Sequence, residues 1–395
     1  MEDNSKNHSF GKGLVAGMVA AAIIFGLTGR VGAFISSRFP GGHGSQEERI
    51  DAKLEELDQY IDQYYLFDYE ETNLESGIYK GLMAGLGDIY TGYYTPEEYA
   101  SFMETTNGSY SGIGAMLRQD YKNGIITVYR VFDGSPAAEA GIEEGDILYT
   151  VKGEEVTGKD LSLVVTDLKG EEGSTVDISI LKDPSDPASE AALTLTRRHI
   201  EVPTVEFQMI DQEIGYIAIT EFEDVTDDQF MAALDALEAQ GMKDLVIDLR
   251  NNGGGLVDVT CAILDRLLPE GLIVYTEDKY GNRQEEKSDA EHYFAGDMAV
   301  LVNGNSASAS EIFAGAIKDY GVGTLVGTQT FGKGIVQSLF PLSDGSAVKM
   351  TVSRYYTPKG NNIHEVGITP DVLIEYDEDA EEDNQLMKAL EILSK

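Results

Sequence analysis

After residue 200 the chain alternates apolar strands with amphipathic helices, and this alternation limits its fold more than any other feature. Ile214 to Ile219 reads as a strand and Asp227 to Gln240 as a helix. Asp244 to Asp248, within DLVIDLR, reads as a strand whose unbroken apolar run suits burial on both faces. Val257 to Leu268 is read as a helix, Leu272 to Tyr275 and Ala299 to Val302 as strands, and Ser308 to Tyr320 as a further helix. Strands and helices in this order pack as α/β layers. The formal net charge is −40 over 395 residues. That excludes nucleic acid as a partner, since its phosphates are bound through basic surface. It also disfavours docking of the folded body on anionic lipid.

The first half reads differently. Gly13 to Gly29 carries no charge and follows Lys6 and Lys12, as in a membrane anchor or a signal segment. Residues 1–44 are therefore expected to hold an anchor and the linker PGGHGS, with the body outside the cytoplasm. If Val31-Gly32-Ala33 is a cleavage site, the body is exported instead. The single cysteine, Cys261, allows no intrachain disulfide, and an exported chain without disulfides suits a bacterial envelope. Residues 45–104 are predicted to be a small helical region. Ile50, Leu54, Leu57, Tyr60, Ile61 and Tyr64 recur at helical spacing. A second helix is expected over about Leu74 to Leu86, and a third from Pro96 with Thr95 as its cap. Such Tyr and Leu stripes suit packing, a homodimer contact included. From Tyr110 the period changes to that of strands. Residues 105–199 resemble a PDZ domain, with GSPAAEAGI as its short helix and turn. The loop Ser111-Gly112-Ile113-Gly114 is then the candidate for holding a peptide's terminal carboxylate, beside a strand edge that accepts the peptide.

Two short segments carry the chemistry. Asn303 to Glu311 (NGNSASASE) is a run of small residues with serines at 306, 308 and 310. Thr330 to Gln337 (TFGKGIVQ) sets Lys333 between two glycines. A serine hydroxyl is a weak nucleophile until a neighbour takes its proton, and a lysine can do so only when neutral. Phe331 and Ile335 around Lys333, and no carboxylate next to it in sequence, suit a desolvated amine. Local spacing does not choose among the three serines. Other readings of these residues are a plain helix start with an exposed turn lysine, and a Ser-His-Asp arrangement using His364 and Asp371. Gly327 to Gly334 also approaches a phosphate loop, but Gly334 stands where a magnesium-binding hydroxyl is needed.

NSASASE and TFGKGIVQ, together with DLRNNGGG (Asp248 to Gly255), SRYYTPKG (Ser353 to Gly360) and GITPD (Gly367 to Asp371), resemble the carboxy-terminal processing peptidases, peptidase family S41. The resemblance covers roughly residues 45 to 375. It implies a multidomain α/β protein with a spiral protease core like that of crotonases and Clp peptidases over 200–375. It also implies an inserted PDZ domain, and it leaves residues 376–395 as an acidic C-terminal tail, whose run Tyr376 to Asn384 is expected to be solvated. It names Ser308 as nucleophile, Lys333 as base and Gln337 as the residue that orients the lysine. Ala309 N–H at the helix start is the expected oxyanion donor, joined by Gly254 or, second, Gly255. No cofactor or metal is implied. The expected partners are protein or peptide substrates with free C-termini. Some members carry arginine at Lys169, where lysine lacks the bidentate fork. The rival reading from a different class is a catalytically inactive PDZ scaffold at the cell envelope.

Overall fold

The computed structural model describes residues 45–394 except 121, 184, 185, 290 and 292. The expected membrane segment, 1–44, lies outside the described residues. Among the described residues no helix is long and apolar enough to cross a membrane. Internal contacts divide the chain into residues 1–73 and 74–395.

In the first unit, helix Gln46–Tyr64 starts at Ser45 with a capping box. Ser45 Oγ accepts from Glu48 N–H at 3.2 Å, and Glu48 Oε2 accepts from Ser45 N–H at 2.9 Å. Tyr60 and Tyr64, one turn apart, stack with centroids at 6.0 Å. The next helix spans Glu71–Ala84, beginning earlier than Leu74.

The second unit is built on a six-stranded sheet. Its order is Val205–Met209, Ile214–Ile219, Asp244–Asp248, Met298–Val302, Gly323–Gly327, Val372–Leu373. The first pair is antiparallel and the rest parallel. Successive residues face opposite layers. Leu245, Ile247 and Leu249 join the core formed by helices Thr226–Ala239, Val257–Leu267 and Ala309–Tyr320. Val246, with Ala299, Leu301 and Val326, packs instead with Ala389 and Leu393 of helix Asn384–Leu393. The sheet is thus covered on both faces, as its apolar strands require. Cys261 is buried in the first of these cores, and burial pushes its thiol up to about 12.

The C-terminal tail ends in a helix, Asn384–Leu393, that the sequence reading did not expect. The acidic run 376–382 is exposed, but the chain then docks. Asp383 caps the helix through the N–H groups of Gln385 and Leu386. Arg250 ties it down, pairing with Asp248 at 2.6 Å and Asp383 at 2.7 Å and donating to Gln385 Oε1 at 3.0 Å.

Residues 115–196 form a second, all-antiparallel sheet with its own apolar core. Ala115–Gln119 is one edge and Glu190–Thr196 the other. Ser109–Gly112 pairs with Arg198–Glu201, so the chain comes in and leaves along one two-stranded ribbon. The short helix expected in GSPAAEAGI spans Pro136–Glu139, and Ser135 caps it. Helix Leu161–Leu168, capped by Asp160, was not foreseen. A third sheet joins Gly92–Tyr94, Ala347–Tyr356, Gly271–Asp278 and Arg283–Ser288, with Ile335–Pro341 against Ala347–Tyr356. Helix Pro96–Asn107 follows its first strand, capped by Thr95 with Glu98 in a capping box.

Candidate active site

At the carboxyl ends of the parallel strands, loops 249–256 and 303–308 meet, the usual position of sites in such sheets. Ala307 N–H donates to the Asn252 carbonyl at 3.1 Å, and Asn303 Nδ2–H donates to Asn251 Oδ1 at 3.0 Å. The three serines separate by what their hydroxyls do. Ser306 is fully buried; it donates to the Leu249 carbonyl at 2.7 Å and accepts from Asn303 N–H at 2.9 Å. Ser310 is also fully buried and donates to the Asn252 carbonyl at 3.0 Å. Ser308 donates its hydroxyl to no acceptor among the described residues. It lines a cavity of about 440 Å³ that Lys333, Gln337, Gly254 and Gly255 also line.

Ser308 is strained. Its φ is +56° with ψ −115°, a region that costs a non-glycine residue about 1–3 kcal/mol. Three buried groups hold it there. Tyr355 O–H donates to its carbonyl at 3.0 Å. Helix Ala309–Tyr320 starts at the next residue, and Ile312 N–H bonds the same carbonyl. The Ser308 N–H goes to Glu311 Oε2 at 3.0 Å.

Glu311 is the hub that sequence reasoning missed. It is fully buried, and its carboxylate accepts four hydrogen bonds. Oε1 takes Thr330 Oγ1–H at 2.5 Å and Gly332 N–H at 2.8 Å, and Oε2 takes Lys333 N–H at 2.8 Å beside that of Ser308. Those are all the acceptor positions a carboxylate has. One side chain therefore fixes the serine loop and the lysine loop together. The near phosphate loop is filled as well, because the backbone amides of 332 and 333 hold a carboxylate of the protein itself. The signal was the Glu three residues after Ser308, which a capping-box search finds; its second set of partners is distant in sequence.

Lys333 differs from expectation in its surroundings. Phe331 is 56% exposed and turns away, whereas Ile335 is buried. The amine lies over the Tyr90 ring, 4.7 Å from its centroid. A carboxylate is near after all, on Glu311, and Asp88 is a second. Burial, then Lys349, hold the lysine below its usual pKa, while Asp88 and Glu311 pull the other way. No hydrogen bond joins Ser308 Oγ to Lys333 Nζ. Gln337 lines the same cavity, and its amide N–H donates to Thr351 Oγ1 at 3.3 Å.

The glycine cluster also separates by residue. Gly254 has φ +105°, and a Cβ there would meet Ser308 Cβ at 2.8 Å and Ala309 N at 2.9 Å, so only glycine allows this approach. Its N–H, however, donates to Asn252 Oδ1 at 2.8 Å. The amides of Gly255 and Ala309 make no hydrogen bond among the described residues. His364 and Asp371 are not paired: Asp371 accepts from Leu325 N–H and binds Lys318 at 2.8 Å. Among the described residues no cluster of His, Cys, Asp and Glu could hold a metal ion.

Of the expected carboxylate loop, Ser111 and Gly112 end the strand Ser109–Gly112, opposite His199 and Arg198, and only Ile113 and Gly114 make the turn into the edge strand Ala115–Gln119. Ser111 Oγ is buried without a partner, and Gly114 packs on Ser135. An apolar cleft of about 380 Å³ runs between that edge and helix Leu161–Leu168, lined by Ile113, Leu117, Val165 and Leu168. Lys169 closes one side, bonded to Glu104 at 2.6 Å and set over the Tyr110 ring at 5.0 Å.

Comparison with known proteins agrees with this architecture. The profile "Peptidase family S41" matches residues 213–374. The carboxyl-terminal-processing protease of Synechocystis sp. is 36% identical over 298 residues, 74% of this chain and 69% of that protein. The carboxy-terminal processing protease CtpA of Bacillus subtilis is 33% identical over 366 residues, 92% of this chain and 76% of that protein. A solved S41 protease candidate from Bacteroides fragilis shares the fold at TM-score 0.51 and 18% identity, over 90% of this chain and 99% of that one. The chain belongs to peptidase family S41 and is a serine-type carboxy-terminal processing protease.

Proposed function

We propose that this protease is an endopeptidase that cleaves exported proteins with Ser308 as nucleophile and Lys333 as general base. The observation that carries this reading is the contrast among three serines. Only Ser308 keeps its hydroxyl hydrogen uncommitted, and it does so in a cavity shared with a lysine of lowered pKa. Neutral Lys333 takes the Ser308 proton as Oγ attacks the substrate carbonyl. The oxyanion is held by Ala309 N–H at the helix start and by Gly255 N–H, since the Gly254 amide is already engaged by Asn252. Lys333 then passes the proton to the leaving amine and later deprotonates the water that frees the acyl group. Gln337, whose amide nitrogen turns to Thr351, keeps its oxygen for the lysine amine. Substrate binding supplies the closure that brings Oγ and Nζ into hydrogen-bond reach.

The unit over 105–199 acts as an inserted PDZ domain. The exposed strand edge 115–119 takes the peptide, and the loop Ser111 to Gly114 takes its C-terminal carboxylate. Residues 45–104 form a mainly helical region whose strand Gly92–Tyr94 joins the third sheet, 200–375 form the core, and 1–44 anchor the protein in the membrane of a bacterial envelope with its body outside. The helical region's Tyr and Leu stripe offers a contact for a homodimer. Cleavage of an unfolded model protein by wild type, Ser308→Ala and Lys333→Ala, with folding checked by circular dichroism, tests the catalytic reading. Loss of cleavage in both folded variants supports it; full activity in Ser308→Ala ends it.

A further inference from the structure

On the wall of the active-site cavity that the mechanism leaves unused stand two carboxylates. Phe222 is fully buried, and its backbone is bonded to the glycine loop: its N–H to the Gly254 carbonyl at 2.9 Å, its carbonyl to Leu256 N–H at 2.7 Å. In such extended chain the residues on either side of Phe222 point the same way, opposite to it. Those residues are Glu221 and Glu223, and both line the cavity that holds Ser308.

Glu223 is 9% exposed, and its Oε2 is buried with no hydrogen-bond partner. Gly108 makes room for it, since a Cβ there would come within 2.6 Å of Oε2. Burial, then the neighbouring Glu221 carboxylate, push its pKa up to about 8. Neither glutamate forms an ion pair among the described residues. The cavity's own amines face other side chains: Lys333 lies over Tyr90, and Lys349 sits over Phe102 at 5.1 Å. Near neutral pH Glu223 thus keeps a proton that it can share with Glu221, and a bound multidentate cation takes that proton's place and pairs with both carboxylates at once.

We propose that Glu221 and Glu223 form an acidic subsite that takes a lysine or arginine side chain of the substrate close to the cleaved bond. Ammonium and guanidinium groups carry enough donors to bridge the pair, with the aliphatic stem lying along the apolar part of the cavity. An acidic side chain at the same substrate position is repelled. This inference rests on the Ser308 reading, because it places the pair beside the reacting carbonyl.

The test uses the purified full chain and fluorogenic peptides carrying one lysine, leucine or glutamate at each position flanking the bond. Wild type should cleave the lysine peptide over its leucine counterpart at one position. In Glu223→Gln and Glu221→Gln the lysine-to-leucine ratio of kcat/KM should fall roughly tenfold or more. Glu221→Lys, at an exposed site that tolerates the change, should turn the preference towards glutamate. No lysine preference at any position, a preference that survives both glutamine variants, or an equal loss on all peptides overturns the subsite. Ser308→Ala is run beside them. Cleavage retained there sinks the serine assignment, whereas the peptide ratios judge the subsite alone.

Discussion

The two sheets of the larger unit treat their ligand-facing loops in opposite ways. In the mixed α/β core, Ser308 sits at a strained φ of +56°, and its own N–H and carbonyl are pinned by the buried Glu311 and Tyr355. Beside the antiparallel sheet, Ser111 at the end of strand Ser109–Gly112 leaves a buried hydroxyl without a partner, next to an edge strand and an open apolar cleft. The difference suits two tasks. Attack on a carbonyl needs atoms held in place before the substrate arrives. Recognition of a peptide end needs donors still waiting for an acceptor.

The largest effects should fall on the pinned loop. Ser308→Ala and Lys333→Ala should each lower kcat about a thousandfold or more, since nucleophile and base act as a unit. Steady-state cleavage of a fluorogenic peptide measures this. Equal activity in Lys333→Ala would mean that the base lies elsewhere.

Glu311→Gln tests whether the rigidity itself matters. It puts an amide N–H where two backbone donors point, and should cost about 3 kcal/mol of stability and most of the activity. Urea unfolding with parallel kinetics reads both. A variant as stable and active as wild type would break the contrast between the two loops. Ser306→Ala and Ser310→Ala each remove one buried hydrogen bond to a carbonyl that keeps a second backbone donor, Asn252 N–H on Leu249 and Ala307 N–H on Asn252, and Ser306→Ala also strips Asn303 N–H of its acceptor. Ser310→Ala should lower stability by about 1 kcal/mol and Ser306→Ala by about 1–3 kcal/mol, both with a far smaller effect on kcat than Ser308→Ala.

The rate should depend on pH through Lys333. Its pKa lies below the usual lysine value, and only the neutral amine accepts a proton. The rate therefore rises with pH and levels off below the range of an ordinary lysine. A pH–rate profile that falls over this range would contradict the assignment. On the recognition side the effects are smaller. Amidating a substrate's C-terminus removes the charge the loop would bind and should slow cleavage about tenfold. Gly114→Val is a poorer test than the bare sequence suggests, because its Cβ would meet Ser135 Cβ at 2.3 Å at a φ of +77°. Equal rates for amidated and free-acid peptides would leave the second sheet as a structural or partner-binding module.

Much of this was legible in the residue pattern, for reasons that are local. The strand Asp244–Asp248, the Thr95 cap and the helix beginning after Ser308 follow from apolar period and capping chemistry. What stayed hidden depends on distant partners. Tyr90 under Lys333 and Tyr355 on the Ser308 carbonyl come from far along the chain. Nothing near DLRNNGGG says that Asn252 will occupy the Gly254 amide. Helix Leu161–Leu168 hides because a short apolar run with two adjacent valines reads equally as a strand. The last helix hides behind an acidic run whose charge suggested solvent, while Arg250 waits for Asp383 on the other side of the sheet's loops.

The central claim, that Lys333 activates Ser308 and no other serine of the run, meets its most direct test in covalent labelling. Wild-type protein is treated with a small serine-directed fluorophosphonate, digested and read by mass spectrometry. The expected result is a single adduct on Ser308, formed much more slowly in Lys333→Ala. An adduct on Ser306 or Ser310, or equal labelling rates with and without Lys333, would contradict it.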